Sequence, residues 1–325
     1  MKTILFFNNK GGVGKTTLVY HFAYMLSELG YKTLAVDLDP QANLTSMFLD
    51  EERLIKIYEN NDNRQTILQS VKPLTKGIGD ISEANIEKIN ENLFLIPGDL
   101  ELSIFEDRLS DNWGKCLDKD EAAFRVTSSF YRIIQNSGKL HNFDYAIIDV
   151  GPNLGAINRS TFISSDFIAV PMAADLFSLQ GLKNLGTAAN RWKEEWNERF
   201  SKNPEKTLTL PKGNIIPIGY IVMQHVATEG KPVFAYKKWA DKIPLMFRNF
   251  VLRENENDNT NLETDTYCLA LIKHYRSLMA MAQEARKPIF LLKPSDGAIG
   301  AHFNAVKEVY KDFKKLTDNI LQKCL

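Results

Sequence analysis

Short apolar runs alternate with amphipathic segments along the chain, and polar or glycine-containing turns separate them. Strands that are buried on both faces read as continuous apolar stretches, so this alternation is typical of a parallel sheet covered by helices. The amphipathic segment Thr16–Leu29, followed by Gly30, predicts the first helix. The predicted strands are rich in Val, Ile, Leu and Phe: Thr3–Asn8, Thr33–Leu38, Asn92–Ile96, Tyr145–Val150, Phe167–Val170, Ile218–Met223 and Pro288–Leu292. We therefore predict an α/β fold, with a mostly parallel β-sheet flanked by helices on both faces.

Polar, interrupted stretches stand out from this core pattern. We interpret residues 1–325 as a single domain with helical insertions at about residues 50–91, 191–214 and 233–266. Two segments within these insertions predict loops: Asn60–Asn63 as a loop tip and Glu254–Asn261 as a flexible loop. The insertions after residue 190 also carry apolar residues at helical spacing, namely Trp192, Trp196, Phe200, Phe234, Trp239, Ile243 and Phe247.

The composition is that of an ordinary globular protein, with 44% hydrophobic and 25% charged residues. Forty Lys and Arg residues balance forty Asp and Glu residues, which excludes a chain that is strongly basic throughout but leaves room for a local basic surface. The three cysteines are widely scattered and form no CxxC pair, which favours a reducing cytoplasm. No apolar run approaches the roughly 18 residues of a membrane span, and the first apolar run is too short for a signal peptide. We expect a soluble protein.

A glycine-rich loop, KGGVGKTT, lies between the first predicted strand and the first predicted helix. Its residues, Lys10, Gly11, Gly12, Val13, Gly14, Lys15, Thr16 and Thr17, are candidates for binding phosphate. Glycines let successive backbone N–H groups point at phosphate oxygens, and the start of the helix adds partial positive charge. Lys15 would reach the β- and γ-phosphates, and the Thr16 hydroxyl would bind Mg²⁺. The strict pattern requires glycine at position 9, where this chain has Asn9.

Three carboxylates follow predicted strands. Asp37 and Asp39 are two residues apart at the end of the second strand, and Asp149 ends the fourth. Nucleotides bind at the carboxyl edge of open α/β sheets, where these side chains would gather. A carboxylate after a buried strand is by itself a weak signal, because an acidic residue can simply cap a strand end. Asp149 comes after the glycine-rich loop in the chain, and this order strengthens its interpretation as the residue that holds a Mg²⁺-bound water.

The loop KGGVGKTT resembles the deviant Walker A motif of the ParA/MinD group of P-loop ATPases, and VDLDPQ resembles the VDxDPQ motif of ParA proteins. By this resemblance Lys10 is the signature lysine, which reaches across an ATP-sandwich homodimer to the partner's nucleotide. The resemblance also implies that Asp39 positions the attacking water and that Asp37 lies near the metal through its waters. ATP and Mg²⁺ are the implied cofactors. After Asp149 the chain has Val150-Gly151-Pro152 where relatives usually have two prolines, which should loosen this segment.

The resemblance covers residues 1–50, 140–185 and 268–315 well and the insertions only loosely. Val170–Leu182 and Ser277–Leu292 are similar to family segments around the later strands. In relatives, the loop corresponding to Lys273–Tyr275 packs on the adenine, so Lys273 and Tyr275 are candidate adenine contacts, although the sequence KHY is not the typical one.

The C-terminal part is locally basic, with ten Lys and Arg residues against five Asp and Glu residues between Thr266 and Leu325. ParA relatives bind duplex DNA without sequence preference through such side chains. The candidate DNA contacts here are Lys273, Arg276, Lys307, Lys311, Lys314 and Lys315. A solvated charged helix face would give the same pattern, so that alternative stays open.

The resemblance as a whole implies a slow ATPase for plasmid or chromosome partition or for cargo positioning, stimulated by a ParB-like adaptor and associated with the nucleoid. No DNA-reading helix–turn–helix precedes the first strand, so we expect no operator recognition.

Two alternatives remain. The last helix carries apolar residues opposite its lysines, at Val306, Val309, Tyr310, Phe313, Leu316 and Ile320, so it could lie on an anionic membrane surface as in the MinD branch. That apolar stripe could equally be the face that packs on the sheet. The other alternative is a metabolic ATP-dependent synthetase on the same fold, although no substrate-binding constellation is evident.

Overall fold

The computed structural model describes residues 1–59, 64–225, 234–254 and 260–325, and its centre is an eight-stranded sheet. The strand order is β3-β4-β2-β5-β1-β6-β7-β8. Among the described strands, β3 pairs with β4 in antiparallel orientation and all other neighbours are parallel. The strands are β1 Lys2–Phe6, β2 Thr33–Asp37, β3 Glu87–Lys88, β4 Leu93–Ile96, β5 Tyr145–Asp149, β6 Phe167–Met172, β7 Ile216–His225 and β8 Cys268–Lys273.

The described residues form thirteen α-helices. They are α1 Lys15–Glu28, α2 Asn43–Phe48, α3 Glu51–Tyr58, α4 Ile67–Lys76, α5 Ser103–Lys115, α6 Glu121–Thr127, α7 Ser129–His141, α8 Ala156–Ser164, α9 Leu176–Phe200, α10 Phe234–Ala240, α11 Ile243–Met246, α12 Ser277–Ala285 and α13 Ala301–Lys323. A π-helical segment, Phe247–Leu252, follows α11.

Successive residues of the central strands enter two different apolar cores, because side chains alternate across a strand. In and just after β1, Ile4 and Phe6 belong to one core, and Leu5 and Phe7 belong to the other. The first core also contains residues of α1, α12 and α13, and the second contains residues of α4 to α9. Helices thus cover both faces of the sheet, which confirms the predicted α/β class.

Six of the seven predicted strands are present, with ends that shift by a few residues. The predicted strand at Pro288–Leu292 is wrong: Ile289–Leu291 forms a single 3₁₀ turn. Ile289, Phe290 and Leu292 are at most 5% exposed because they lie in the core beneath α13, so burial alone explains this apolar run. The edge strand is instead β8, which the pattern did not single out, and β3 was also missed.

The predicted insertions contain regular elements. Residues 50–91 include α3, α4 and β3, and β3 joins the main sheet. Trp192 and Trp196 lie on α9 and are buried in the core, as their helical spacing predicts. Asn60–Asn63 and residues 255–259 of the predicted flexible loop lie outside the described residues.

Candidate functional site

The glycine-rich loop runs from the end of β1 into the start of α1. Gly12 and Gly14 have φ of +74° and +88°, a backbone conformation that favours glycine. Within the part of the chain that the structure describes, no side chain caps the start of α1, and its first turn contains no acidic residue. The N–H groups at a helix start lack intrahelical partners and carry partial positive charge. This end of α1 is therefore suited to an anion.

Lys15 and Thr16, the first two residues of α1, both bind Asp149 at the end of β5. The Lys15 ammonium donates to Oδ1 of Asp149, and the Thr16 hydroxyl donates to Oδ2 at 2.8 Å. Asp149 is fully buried and Lys15 is 7% exposed. Burial raises the pKa of Asp149, and the Lys15 charge opposes that rise. The predicted phosphate lysine, the predicted metal hydroxyl and the predicted metal carboxylate thus meet at one point.

Asp37 lies beside Asp149, since the two residues are paired across β2 and β5. Its Oδ2 accepts the backbone N–H of Thr45 at 2.8 Å and the Thr45 hydroxyl at 2.7 Å, and its Oδ1 accepts the N–H of Asp39 at 3.2 Å. Burial, and then the charge of Asp149, raises the pKa of Asp37 to about 7. Asp37 is fully buried and anchors α2, and its predicted part in holding the metal stays a prediction.

Asp39, the predicted water-positioning residue, is 5% exposed, and its Oδ1 accepts the backbone N–H of Gln41 at 2.9 Å. It faces the segment that follows Asp149: a Cβ built at Gly151 would lie 3.4 Å from Asp39 Oδ1. The same segment meets the glycine-rich loop, where a Cβ at Gly11 would lie 3.8 Å from the Pro152 ring. Any shift of residues 151–152 therefore changes the surroundings of both Asp39 and the loop.

Lys10, the predicted signature lysine, is bound within its own chain. Its ammonium donates to Oδ2 of Asp175 at 2.5 Å, and the two side chains are 29% and 35% exposed. Asp175 also caps α9, because its Oδ1 accepts the backbone N–H of Ser178 at 2.9 Å. Partial burial would raise the pKa of Asp175, but the hydrogen bonds from Lys10 and Ser178 outweigh it and hold this pKa below its ordinary value.

A mostly apolar pocket of about 200 Å³ adjoins the loop. Gly12 and Gly14 form part of one wall, and Lys273 and Tyr275, the candidate adenine contacts, line another. The Tyr275 hydroxyl donates to Oδ2 of Asp312 at 3.0 Å, which ties this wall to α13. Both candidate residues therefore lie next to the glycine-rich loop.

The candidate DNA contacts lie on or near α13. Lys307, Lys311 and Lys315 are exposed, whereas Val306, Val309, Phe313, Leu316 and Ile320 pack into the core. Lys311 pairs with Glu308 and Lys314 pairs with Asp318, each at 2.8 Å. Lys273 ends β8, and Arg276 is exposed just before α12. The six cations thus occupy the C-terminal part of the chain, outside its core.

Several residues that hold the site together were missed by the sequence analysis. Asp175 binds Lys10, Thr45 holds Asp37, and Glu106 of α5 accepts the backbone N–H of Ile157 at 2.9 Å. The sequence could have indicated the role of Asp175, because Asp is a preferred N-cap residue and Asp175 immediately precedes α9, where it accepts the backbone N–H of Ser178. Nothing in the sequence around Glu106 indicates its partner.

The residues of this site suit a nucleoside triphosphate with Mg²⁺. The uncapped start of α1 and the Lys15 ammonium match phosphate oxygens. The Thr16 hydroxyl would bind Mg²⁺ and the Asp149 carboxylate would hold a water bound to it, and oxygen ligands are those that Mg²⁺ prefers.

Comparison with known proteins identifies the family. A family model described as an AAA domain matches residues 1–202. The uncharacterised protein MJECL24 of Methanocaldococcus jannaschii is 32% identical over 262 residues, which span 73% of this chain and 92% of that protein. The sporulation initiation inhibitor protein Soj of Bacillus subtilis is 28% identical over 57% of this chain, but the match spans only 63% of Soj. The chain belongs to this family, and within it to the ParA/Soj-type partition ATPases.

Solved structures share the fold along almost the whole chain. Protein DIP2308 of Corynebacterium diphtheriae is similar with a TM-score of 0.74, at 22% identity over 99% of this chain and 98% of its own. A complex of a Cyanothece McdA variant with ATP gives 0.65 at 17% identity, over 98% and 96% of the two chains. The pNOB8 ParA bound to nonspecific DNA gives 0.59 at 16% identity, over 99% and 98%. At these identities the likeness concerns the fold.

Proposed function

We propose that this protein is an ATPase of the ParA type that binds ATP and Mg²⁺ at the glycine-rich loop and uses slow hydrolysis to switch between two binding states. The observation that carries the proposal is the convergence of Lys15 and Thr16 on Asp149 at the uncapped start of α1. A lysine, a hydroxyl and a carboxylate at this point of an α/β sheet are the groups that phosphoryl transfer requires.

The chain's own residues have separate roles in this proposal. The backbone of residues 10–17 binds phosphate oxygens, and Lys15 leaves Asp149 to contact the β- and γ-phosphates. Thr16 would bind the metal, Asp149 would hold a metal-bound water with Asp37 beside it, and Asp39 would orient the attacking water. Mg²⁺, when bound, neutralises charge on the phosphates. Lys273 and Tyr275 contact the adenine, which fits the apolar pocket next to the loop.

Lys10 gives the proposal its second half, a homodimer in the ATP state. A cation brought to the γ-phosphate from a second chain stabilises the charge of the transition state. Lys10 is at the rim of the loop and partly exposed, and one hydrogen-bonded partner, Asp175, would have to release it. We therefore propose that dimerisation exchanges the Lys10–Asp175 contact for one with the partner's nucleotide.

We propose that the ATP-bound dimer binds duplex DNA without sequence preference through Lys273, Arg276, Lys307, Lys311, Lys314 and Lys315. The pNOB8 ParA structure with nonspecific DNA, which shares this fold, supports the proposal. In the cell the protein would act in the cytoplasm on the nucleoid, in plasmid or chromosome partition or cargo positioning. A ParB-like adaptor would stimulate hydrolysis. Residues 1–325 would act as one domain, with the segments at about 50–91, 191–214 and 233–266 as insertions.

A membrane-surface ATPase is the competing proposal, since α13 is a basic amphipathic helix. Its apolar residues Val306, Val309, Phe313, Leu316 and Ile320 are at most 6% exposed in the core. Membrane binding would need that face, so detaching α13 would expose a large part of one core. This cost favours DNA over a membrane. Among the described residues, no helix is both long and apolar enough to cross a bilayer.

Cosedimentation distinguishes the proposals. The protein is mixed with plain duplex DNA or with anionic liposomes, each with and without ATP and Mg²⁺. We expect retention on DNA that depends on ATP and falls steeply with salt, and no retention on liposomes. ATP-dependent binding to liposomes alone would favour the membrane proposal. ATP hydrolysis without binding to either would favour a metabolic enzyme. Lys15→Ala is the control for dependence on nucleotide.

A further inference from the structure

The segment after Asp149, residues 150–155, leads into α8 and is held at its far end by Glu106 of α5. The two carboxylate oxygens of Glu106 accept the backbone N–H groups of Ala156 and Ile157, the latter at 2.9 Å. The first N–H groups of a helix have no intrahelical partner, and a carboxylate there also interacts favourably with the helix dipole. A Cβ at Gly155 would lie 2.2 Å from Glu106 Oε1, so the contact requires glycine at this position.

A second side chain, Asn158, holds the same segment from within the fold. Its amide donates to the carbonyl oxygens of Gly151 at 2.7 Å and Asn153 at 2.5 Å, and Asn158 is 1% exposed. Gly151 is the residue that faces Asp39. Asn158 and Glu106 thus contact both ends of this segment, which has Gly151 in place of a proline.

Helices α5 and α8 also meet at Trp113 of α5 and Arg159 of α8, about one turn further along α8. The Arg159 guanidinium lies 4.3 Å from the Trp113 ring, and that of Arg199 on α9 lies 4.6 Å from the same ring. The Trp113 indole N–H donates to Glu195 Oε2 at 2.8 Å. The start of α8 is thus joined to α5 at both Glu106 and Trp113, so displacement of α5 would displace the segment next to Asp39.

We propose that Glu106 is a positioning residue for ATP hydrolysis, which keeps residues 151–155 in register with Asp39. The proposal rests on the ATPase function proposed above. In this proposal Glu106 contacts neither the nucleotide nor the attacking water. Glu106 acts through the backbone of α8. Displacement of about 1 Å in a catalytic group can lower a rate by up to a hundredfold, so loss of this contact would slow turnover more than it weakens nucleotide binding.

The test compares Glu106→Gln and Glu106→Ala with Asp107→Asn, which removes the same charge from an exposed neighbour on α5. Hydrogen–deuterium exchange of the peptide spanning residues 151–160, measured without nucleotide, reports the tether, that is, the hydrogen bonds from Ala156 and Ile157 to Glu106. We expect exchange at the amides of Ala156 and Ile157 to accelerate about tenfold or more in Glu106→Ala, since a charge-assisted hydrogen bond is lost. Glu106→Gln keeps one acceptor and should have a smaller effect, and Asp107→Asn should have none.

Kinetics and nucleotide binding are then measured on the same variants. We expect kcat in Glu106→Ala to fall about tenfold or more, with partial recovery in Glu106→Gln, while affinity for a non-hydrolysable ATP analogue changes less than about threefold. Unchanged exchange or unchanged kcat in folded Glu106→Ala would overturn the proposal. Equal losses of analogue affinity and kcat would reduce Glu106 to a structural role and overturn it too. Absence of turnover in the unaltered protein would remove the ATPase function itself, while the exchange data would still report the tether.

Discussion

Lys10 donates a hydrogen bond to Asp175 at 2.5 Å, and Asp175 is the residue immediately before α9. The lysine that is expected to act on a second chain is therefore held within its own chain. Because Asp175 also accepts the backbone N–H of Ser178, its carboxylate serves the lysine and the helix start at once. Release of Lys10 leaves Asp175 with its helix-capping bond, so the exchange costs little stability.

Replacement of Asp175 with Asn should favour dimerisation. Asn retains a side-chain oxygen for the α9 cap but loses the charge that holds Lys10. An exposed ion pair contributes about 1 kcal/mol or less, so we expect ATP-dependent self-association at a concentration up to about fivefold lower. Analytical ultracentrifugation with a non-hydrolysable ATP analogue measures this.

Asp175→Ala is the companion variant, because it removes the cap as well as the charge. It should release Lys10 equally but also lower the free energy of unfolding by about 1 kcal/mol. An unchanged association constant in both variants would show that the Lys10–Asp175 contact does not limit dimerisation.

Lys15→Ala should abolish nucleotide binding and also destabilise the protein. Asp149 is fully buried, so loss of Lys15 leaves a buried carboxylate without its cation. Removal of one partner from a buried ion pair costs about 3–5 kcal/mol. Urea unfolding at neutral pH measures the stability, and titration calorimetry with ATP measures the binding.

The double variant Lys15→Ala with Asp149→Asn provides the control for this stability effect. It removes both charges and should recover part of the lost stability without restoring ATP binding. Normal affinity for ATP in the single variant would exclude Lys15 from the phosphate site.

His21 makes stability depend on pH. Its Nδ1 bonds the carbonyl oxygen of Thr17 at 2.8 Å, and its Nε2 accepts the backbone N–H of Ile289 at 3.1 Å, which fits the neutral ring with its proton on Nδ1. Burial lowers the pKa of His21 from 6.5 to about 4. The unfolded chain therefore binds more protons in this range. The corresponding stability is fully present above pH 6.5 and is lost as the pH falls toward 4, by roughly 3 kcal/mol in total.

Unfolding by urea between pH 7 and pH 5 should reveal this loss when His21→Phe is compared with the unaltered protein. Asp37 has the opposite effect on the pH dependence of stability, because its raised pKa makes the folded chain bind this proton more tightly than the unfolded chain does. The contribution of His21 is therefore the difference between the two proteins. We expect a weaker decline in stability with falling pH in His21→Phe. His274→Gln changes an exposed histidine and should behave like the unaltered protein. Parallel pH curves for His21→Phe and the unaltered protein would contradict the assignment.

Replacement of Lys311, Lys314 and Lys315 with Glu should weaken retention on DNA and lower its dependence on salt. Each phosphate contact contributes about 0.9 to the slope of log affinity against log salt concentration, so the slope should fall by roughly 2–3. The ion pairs of Lys311 and Lys314 are exposed and weak, so they do not prevent these lysines from binding phosphate. Fluorescence anisotropy with duplex DNA at several salt concentrations measures the slope.

A matched triple variant controls for net charge. Lys76, Lys115 and Lys139 are exposed on α4, α5 and α7, on the opposite face of the sheet. Their replacement with Glu changes the charge equally and should leave most of the retention intact. Equal losses in both triple variants would mean that overall charge, and not α13, governs binding.

The central elements were predictable because each carries a strong local signal. The apolar runs that became β1, β2, β5 and β6 are buried on both faces, and the glycine-rich loop places its glycines and Lys15 at the spacing of a phosphate-binding motif. The edge strands lacked that signal. In β8 buried and half-exposed residues are mixed, and β3 has only two residues, so the pattern did not distinguish them from loops.

The partners of the site residues were not predictable, because they come from distant parts of the chain. Asp175 meets Lys10 across 165 residues, and Glu106 meets Ile157 across 51. These contacts depend on the position of β6 in the sheet and on where α5 packs against it. A sequence pattern reports the periodicity of one element, so contacts between elements appear only once the topology is known.

The division of the helices between two faces of the sheet has a consequence for divergence among relatives. α13 packs on one face, whereas α5 and α8 pack on the other, and the strands between them are filled with side chains of both cores. Substitutions on the outer surface of α13 can therefore accumulate without repacking the helices next to Asp39. Chimeras that exchange only the exposed positions of α13, such as Lys307, Lys311 and Lys315, would therefore vary the surface proposed to bind DNA while the core residues of α13 and the Tyr275–Asp312 hydrogen bond are inherited unchanged.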